Sequence, residues 1–277
     1  MKKTGSDRPI DTGSVFRQME RLMGGAAKGG DSEIASQDLV YNAWECSDPD
    51  DAYEMLLEAV ELDPTNLDAW LSIMDFADFE LDERIEMLKT LVKVGEQKLG
   101  KKCLEEDAGY FWGLLETRPY MRVRSQLALR LMEAERLEEA VAEHEEMLKL
   151  NPNDNQGIRY GLLACYLKLK RLDDAQWLFS EYGDDVKYGA IFAWGYVLER
   201  FLAGELGDAK KALVKAEKVN GYAAAYFMGH RKLPKRIPGA YSLGSREEAI
   251  IAWNILRPAW QAYPEAQAWV KKNNAQK

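Results

Sequence analysis

The amino-acid sequence predicts an all-α protein in which tandem helical hairpins stack on one another. Three observations support this prediction: apolar residues recur at helical spacing, one alanine position recurs roughly every 34 residues, and proline follows the ends of several apolar segments. A single hairpin cannot bury its apolar face alone, so neighbouring hairpins stack. The expected architecture is a right-handed superhelical solenoid.

The clearest hairpin occupies residues 120–153. Leu127 and Leu131 share a face of its first segment, and Ala140 and Val141 share a face of its second. A short charged turn separates the two segments. An Asn-Pro-Asn sequence ends the second one, because proline cannot continue a helix. This order of segments predicts an antiparallel pair of helices.

A small residue early in each second helix sets the repeat register. Ala140 is followed by Ala175 and Ala209, at spacings of 175 − 140 = 35 and 209 − 175 = 34 residues. Upstream, Ala52 has an alanine seven residues later and a proline twelve residues later; downstream, Ala249 follows a pair of acidic residues. A period of about 34 residues that closes with proline is typical of tetratricopeptide repeats.

This register divides the chain into four regions. They are a flexible leader at 1–32, which is rich in glycine; two N-terminal tetratricopeptide-like hairpins, the second degenerate, with a connector at 33–118; three repeats at 119–222; and a loop with C-terminal capping helices at 223–277. Within the leader, a short helix is expected near 15–23.

Two irregular connectors interrupt the repeat. The first, near 100–117, is expected because Ala52 and Ala140 are 140 − 52 = 88 residues apart, too many for two periods and too few for three. The second, 229–245, contains two prolines and three glycines that forbid regular helix. Such a loop either bridges the last repeats or covers one end of the array.

Composition and charge narrow the classes of function. A formal net charge of −9 offers no global attraction for nucleic acid or an anionic membrane. No segment approaches the roughly 20 apolar residues of a membrane span, and no signal segment is evident, so we expect a cytoplasmic protein. Three separated cysteines and two histidines indicate neither a metal site nor a disulfide framework, and no cofactor is predicted.

No catalytic motif is present in the sequence: GxSxG, HExxH, GxxxxGK[ST] and GxGxxG are all missing. We therefore expect a scaffold or adaptor, not an enzyme, and predict no catalytic residues. Its partner would be a protein or peptide segment held in the concave groove that stacked hairpins form.

The candidate binding site lies at two successive hairpin mouths. Arg118 and Arg122 are one helical turn apart, and Arg124 lies on an adjacent stripe. Arginines there would form forked hydrogen bonds with an acidic or polar ligand; alternatively, they pair with Glu116, Glu133 or Glu145 while the Asn and Asp residues cap helices. The predicted partner-binding residues are Arg118, Tyr120, Arg122, Arg124, Asn153, Asn155, Gln156, Arg159, Tyr160 and Trp194.

The first helices of the three repeats are predicted at 119–133, 156–169 and 188–203. Their positions expected to line the groove are mostly apolar or aromatic, which disfavours a clamp for a peptide C-terminal carboxylate. They are Leu129, Met132, Tyr160, Ala164, Trp194, Leu198 and Phe201. Two alternatives stay open. One is a small-ligand or enzyme-like pocket capped by 229–245, with His230 and Tyr241 facing the array. The other is a structural protein that self-associates into a homo-oligomer through its end repeats.

The strings FWGLLETRPYMR and EEMLKLNPNDNQGIRY resemble a group of bacterial tetratricopeptide repeat proteins of unassigned function, over about Leu39–Trp269. The layout is also similar to the soluble part of the animal suppressor of tumorigenicity seven family. The shared elements are AWE at 43–45, the segment Glu181–Asp185 and the string GSREEAIIAWNILRPAW. Members of that family carry transmembrane helices at their start, which are not expected here. The resemblance implies the repeat fold and assigns no residue a role.

Overall fold

The computed structural model describes residues 11–23 and 30–274, where the regular elements are fifteen helices. The predicted all-α fold class is confirmed, with consecutive helices packed as hairpins. The chain divides into two compact units: a first unit of Met1–Glu139 and Glu145–Asn155, and a second unit of Ala140–His144 and Gln156–Lys277.

The helices of the first unit form successive hairpins. They are α1 (Thr12–Met23), α2 (Gly30–Glu45), α3 (Pro49–Leu62), α4 (Leu67–Phe76), α5 (Leu81–Glu106), α6 (Arg118–Glu133) and α7 (Leu137–Leu150), which contributes residues to both units. Helix α2 packs against α3, and α5 against α6, while α4 contacts both α2 and α6. The first helices of these hairpins, α2, α4 and α6, therefore lie next to one another.

Capping residues explain where several helices begin. The side chain of Asp48 accepts hydrogen bonds from two backbone N–H groups at the start of α3, and Pro49 occupies the first helical position, where no N–H is needed. Asn66 caps α4 by accepting from the Ala69 N–H at 3.0 Å. These short polar residues fix the starts of α3 and α4, and Asn66 also lines the site described below.

The predicted leader contains a helix where a short one was expected near 15–23, and the predicted connector near 100–117 is partly helical. In the predicted leader, Thr12–Met23 form α1, whose Val15 and Met19 side chains are buried, and α2 begins at Gly30. The other leader residues outside α1 and α2 lie outside the described residues, apart from Asp11. In the predicted connector near 100–117, α5 continues to Glu106 past a kink at Gly100 (φ 73°), a conformation that glycine adopts without strain.

The second unit continues the hairpin pattern and adds a C-terminal helix across it. Its helices are α8 (Ile158–Lys168), α9 (Leu172–Glu181), α10 (Gly183–Tyr188), α11 (Ala190–Leu202), α12 (Leu206–Val219), α13 (Ala223–Phe227), α14 (Arg246–Ala262) and α15 (Pro264–Asn274). Helices α8 and α9 form one hairpin, and α11 and α12 the next. Residues 229–245 form no regular helix. Helix α14 then packs against α8, α11 and α13.

Candidate functional site

Arg122, one of the arginines predicted to bind a partner, is paired within the first unit. Its Nε atom donates to Oδ1 of Asp68 at 2.8 Å, and its Nη2 atom donates to Oδ2 of the same carboxylate. The Asp68 side chain is 1% exposed, whereas that of Arg122 is 37% exposed. The arginine fork that we expected to bind a ligand therefore holds a buried carboxylate of the protein itself.

The neighbouring residues Tyr120 and Arg124 form a buried polar network. The Arg124 Nε atom donates to the Tyr120 hydroxyl at 2.7 Å, and its Nη2 atom lies 3.2 Å from a carboxylate oxygen of Glu96. Burial is the main reason why the pKa of Tyr120 rises to about 12. Arg118 donates to the Trp112 carbonyl at 3.0 Å and stacks on the ring of that residue. These residues are internal partners in the first unit.

The predicted binding residues between Asn153 and Tyr160 are divided between the two units. Asn153 and Asn155 belong to the first unit and are exposed, while Gln156 is half-buried in the second. In the second unit, Arg159 donates to a carboxylate oxygen of Asp185 at 2.5 Å and to the Tyr160 hydroxyl at 2.9 Å. Burial raises the pKa of Tyr160 above its ordinary value. Arg159 therefore stabilises the second unit through groups of that unit.

Trp194 requires a correction, because it is a core residue. It is 0% exposed, and its ring stacks on Phe227 with centroids 4.3 Å apart and lies 6.1 Å from Trp260 of α14. Ala164 and Leu198, also expected to line a groove, are buried as well. The physical reason is that α14 packs on α8 and α11, so the predicted groove face of the second unit is part of its interior.

The loop at 229–245 borders a cleft of about 250 Å³ in the second unit. Tyr241 lies at this cleft and shares a hydrogen bond with Tyr160, whereas His230 is exposed and is not among the lining residues. Glu248, at the base, is buried and accepts hydrogen bonds from the Ala190 N–H at 2.8 Å and from the Gly244 N–H at 2.7 Å. The polar groups at this cleft thus form hydrogen bonds with one another.

A larger cleft, of about 300 Å³, opens in the first unit, and Tyr120 and Arg122 are the two predicted binding residues that line it. We call it the first-unit cleft. Helices α2, α4, α5 and α6, with the loops before α4 and α6, supply its walls: Glu33, Ile34, Gln37, Tyr41, Asp63, Thr65, Asn66, Leu67, Asp68, Gly95, Lys98, Leu99, Leu115, Glu116, Pro119, Tyr120 and Arg122.

The floor of the first-unit cleft is a connected polar layer. The Asn66 side chain donates to the Ser36 hydroxyl at 2.9 Å, and that hydroxyl donates to the Ala59 carbonyl at 2.8 Å. Burial acts to raise the pKa of Asp63, but hydrogen bonds from Lys98 and Thr65 outweigh burial and leave that pKa below its ordinary value. A floor whose polar groups are satisfied holds its shape without a ligand.

Three apolar or aromatic side chains at the rim of the first-unit cleft are exposed. Ile34 is 65% exposed, Tyr41 51% and Leu115 71%. Helix α2 also buries Val40 and Ala43 on its opposite face. A helix with apolar residues on both faces was the signal in the sequence, since a helix that serves only the core carries one apolar stripe.

Neither a group of side chains placed to hold a metal ion nor a membrane-spanning helix occurs in the parts of the chain that the structure describes. Within 11–23 and 30–274, no group of three or more His, Cys, Asp or Glu residues is placed to hold a metal ion. In the same ranges, no helix has both the length and the apolar character needed to cross a bilayer.

Comparison with protein families matches residues 131–185 to the tetratricopeptide repeat. Repeats of this type generally mediate protein–protein interactions and are typically non-catalytic, and no enzyme family is detected. Comparison with curated proteins finds no match. The all-α chain therefore contains a tetratricopeptide repeat region that runs from the end of α6 through α9 into α10.

Proposed function

We propose that this protein is an interaction scaffold that binds a segment of a partner protein in the first-unit cleft. The observation that carries the proposal is the apolar rim formed by Ile34, Tyr41 and Leu115 beside an open cleft. Contiguous exposed apolar surface on a charged protein is typical of interaction sites. The tetratricopeptide repeat region supports a protein as the partner.

The position of the cleft supports the same proposal. It lies against α2, α4 and α6, the first helices of their hairpins, and such helices usually line the binding groove of stacked hairpins. In the second unit, by contrast, α14 covers α8 and α11. The resemblance to bacterial tetratricopeptide repeat proteins and to the soluble part of the suppressor of tumorigenicity seven family implies the repeat fold and names no partner.

Site-specific photo-crosslinking tests the proposal. A benzophenone amino acid in place of Tyr41 should link the partner in lysate, and mass spectrometry identifies the linked protein. The double variant Ile34→Ser, Tyr41→Ser should no longer co-purify that protein. Trp177→Ser is the matched control, because Trp177 is equally exposed, at 51%, but lies on α9 of the second unit. Equal recovery with the double variant and the control would overturn the proposal.

A second candidate, a small-ligand pocket, rests on the second-unit cleft beneath residues 229–245. Ligand-induced shifts of the melting temperature across a metabolite panel test it, with Tyr241→Ala as the variant that should lose the shift. The self-association alternative is tested by light scattering, where a strict monomer at high concentration would contradict it.

A further inference from the structure

The first-unit cleft carries an excess of negative charge. Its lining includes four carboxylates and two cationic side chains, so the formal balance is 2 − 4 = −2. The carboxylates are Glu33, Asp63, Asp68 and Glu116, and the cations are Lys98 and Arg122.

Both cations of the cleft are paired with carboxylates of the floor. The Lys98 Nζ atom lies 2.8 Å from Oδ2 of Asp63, whose side chain is almost fully buried. Arg122 forms the forked pair with buried Asp68. Removing either cation from its carboxylate would leave an unpaired charge in the floor, which is costly. Neither cation is therefore available to an incoming carboxylate at low cost.

The excess negative charge lies at the rim. Glu33 is partly exposed, and its Oε2 atom lies 3.9 Å from the Lys98 Nζ atom, beyond hydrogen-bond distance. Glu116 is exposed, on the loop that precedes α6. These two carboxylates line the same cleft as the apolar side chains of Ile34, Tyr41 and Leu115. The rim thus combines apolar surface with negative charge.

We propose that the occupant of the first-unit cleft is a segment of a partner protein that carries lysine or arginine beside apolar residues. This inference rests on the proposed function. The apolar side chains of the segment pack on Ile34, Tyr41 and Leu115, and its cation pairs with Glu33 or Glu116. The net charge of −9 adds long-range attraction for such a segment. The charge preference is opposite to the acidic ligand that the arginines of the sequence predict.

Selection from a library of random peptides displayed on phage tests the inference, with the full-length protein as bait. Enriched sequences should contain lysine or arginine next to apolar residues. A fluorescent peptide of the enriched sequence is then titrated by anisotropy. The variant Glu33→Gln, Glu116→Gln should raise its Kd about fivefold, as expected for two exposed ion pairs. Raising the salt from about 0.05 M to about 0.5 M should weaken binding to wild type more than to this variant.

The control variant Glu54→Gln, Glu58→Gln changes the net charge equally on exposed positions of α3, outside the cleft lining. Its Kd should stay within about twofold of wild type. Acidic or uncharged enriched peptides that lose binding in Ile34→Ser, Tyr41→Ser would overturn the charge inference and leave the proposed function standing. No enrichment, or peptides whose binding that apolar variant does not change, would overturn both.

Discussion

The two units differ in what covers the first helices of their hairpins. In the first unit, α2, α4 and α6 border an open cleft with Tyr41 exposed at its rim. In the second, α14 packs across α8 and α11, and Trp194 and Trp260 are fully buried. Among the residues that the structure describes, the same kind of hairpin therefore forms a core where a further helix of the chain covers it, and an accessible surface at the first-unit cleft.

Polar contacts strengthen this difference. In the second unit, Glu248 of α14 accepts a hydrogen bond from the Ala190 N–H at the start of α11 and another from the Asn220 side chain at 2.8 Å. A carboxylate at a helix N-terminus is favourable, because free N–H groups and the helix dipole attract negative charge. This contact attaches α14 to α11. Buried carboxylates of the first unit instead pair with Lys98 and Arg122 at the floor of its cleft.

Removing the buried Trp260 side chain of α14 should have the largest effect on the free energy of unfolding. Trp260→Ala deletes a fully buried side chain that packs on Trp194 and Phe227, and should lower the free energy of unfolding by about 3–5 kcal/mol. Urea denaturation followed by circular dichroism measures it. Trp177→Ala, an exposed tryptophan, should change it by about 0.5 kcal/mol or less. Similar losses for both variants would contradict the assignment of α14 to the core.

The ion pair beneath the first-unit cleft should respond asymmetrically to its two deletions. Arg122→Met leaves the buried Asp68 carboxylate without its cation and should cost about 3 kcal/mol. Asp68→Asn leaves an arginine that is partly in water already, so about 1 kcal/mol is expected. The double variant should recover part of the first loss. Equal costs for the two single variants would show that burial of Asp68 does not govern this pair.

Helix positions could be predicted from the sequence because they depend on local periodicity. The sequence predicts first helices at 119–133, 156–169 and 188–203, and the structure has α6 at Arg118–Glu133, α8 at Ile158–Lys168 and α11 at Ala190–Leu202. The recurring alanines also have a physical role, since Ala140, Ala175 and Ala209 are all fully buried, where a larger side chain would separate the packed helices.

The partners of the candidate site could not be predicted, because they are distant in sequence. Arg122 pairs with Asp68, 54 residues away, and not with Glu116, Glu133 or Glu145. Which carboxylate meets an arginine depends on how α4 packs against α6, and periodicity within one helix holds no such information. The burial of Trp194 depends in the same way on α14, a helix more than one repeat further along the chain.

Lowering the pH should reduce the stability of the two units over different pH ranges. His144, in the second unit, is buried, and desolvation lowers its pKa from 6.5 to about 4. Below pH 6.5 the unfolded chain binds a proton there that the folded chain does not, so stability falls as pH falls toward 4. Between about pH 7.5 and about pH 5, this histidine should remove about 2 kcal/mol from the free energy of unfolding.

Chemical denaturation at several pH values measures the slope of the free energy of unfolding against pH. His144→Asn should remove most of this slope, whereas a uniform loss of stability would leave the slope unchanged. Asp63 of the first unit provides the contrast. Because its folded pKa is lowered, its contribution is present above the ordinary carboxyl pKa and is lost only at lower pH. If His144→Asn kept the full slope between pH 7.5 and 5, the pH dependence could not be assigned to His144.

The smallest expected effect concerns helix packing under the cleft. A Cβ atom at Gly95 would lie 2.6 Å from Cδ2 of Tyr120 and 3.0 Å from Cδ1 of Leu67, so Gly95→Ala should force both side chains to shift. The gain in helix propensity offsets part of the overpacking cost, leaving a net loss of about 1 kcal/mol. Gly207→Ala on α12 meets nothing within 4 Å and should stabilise slightly. Opposite signs in thermal melts are the expected result; stabilisation by both would show that Tyr120 is free to move and that the floor of the cleft is not rigid.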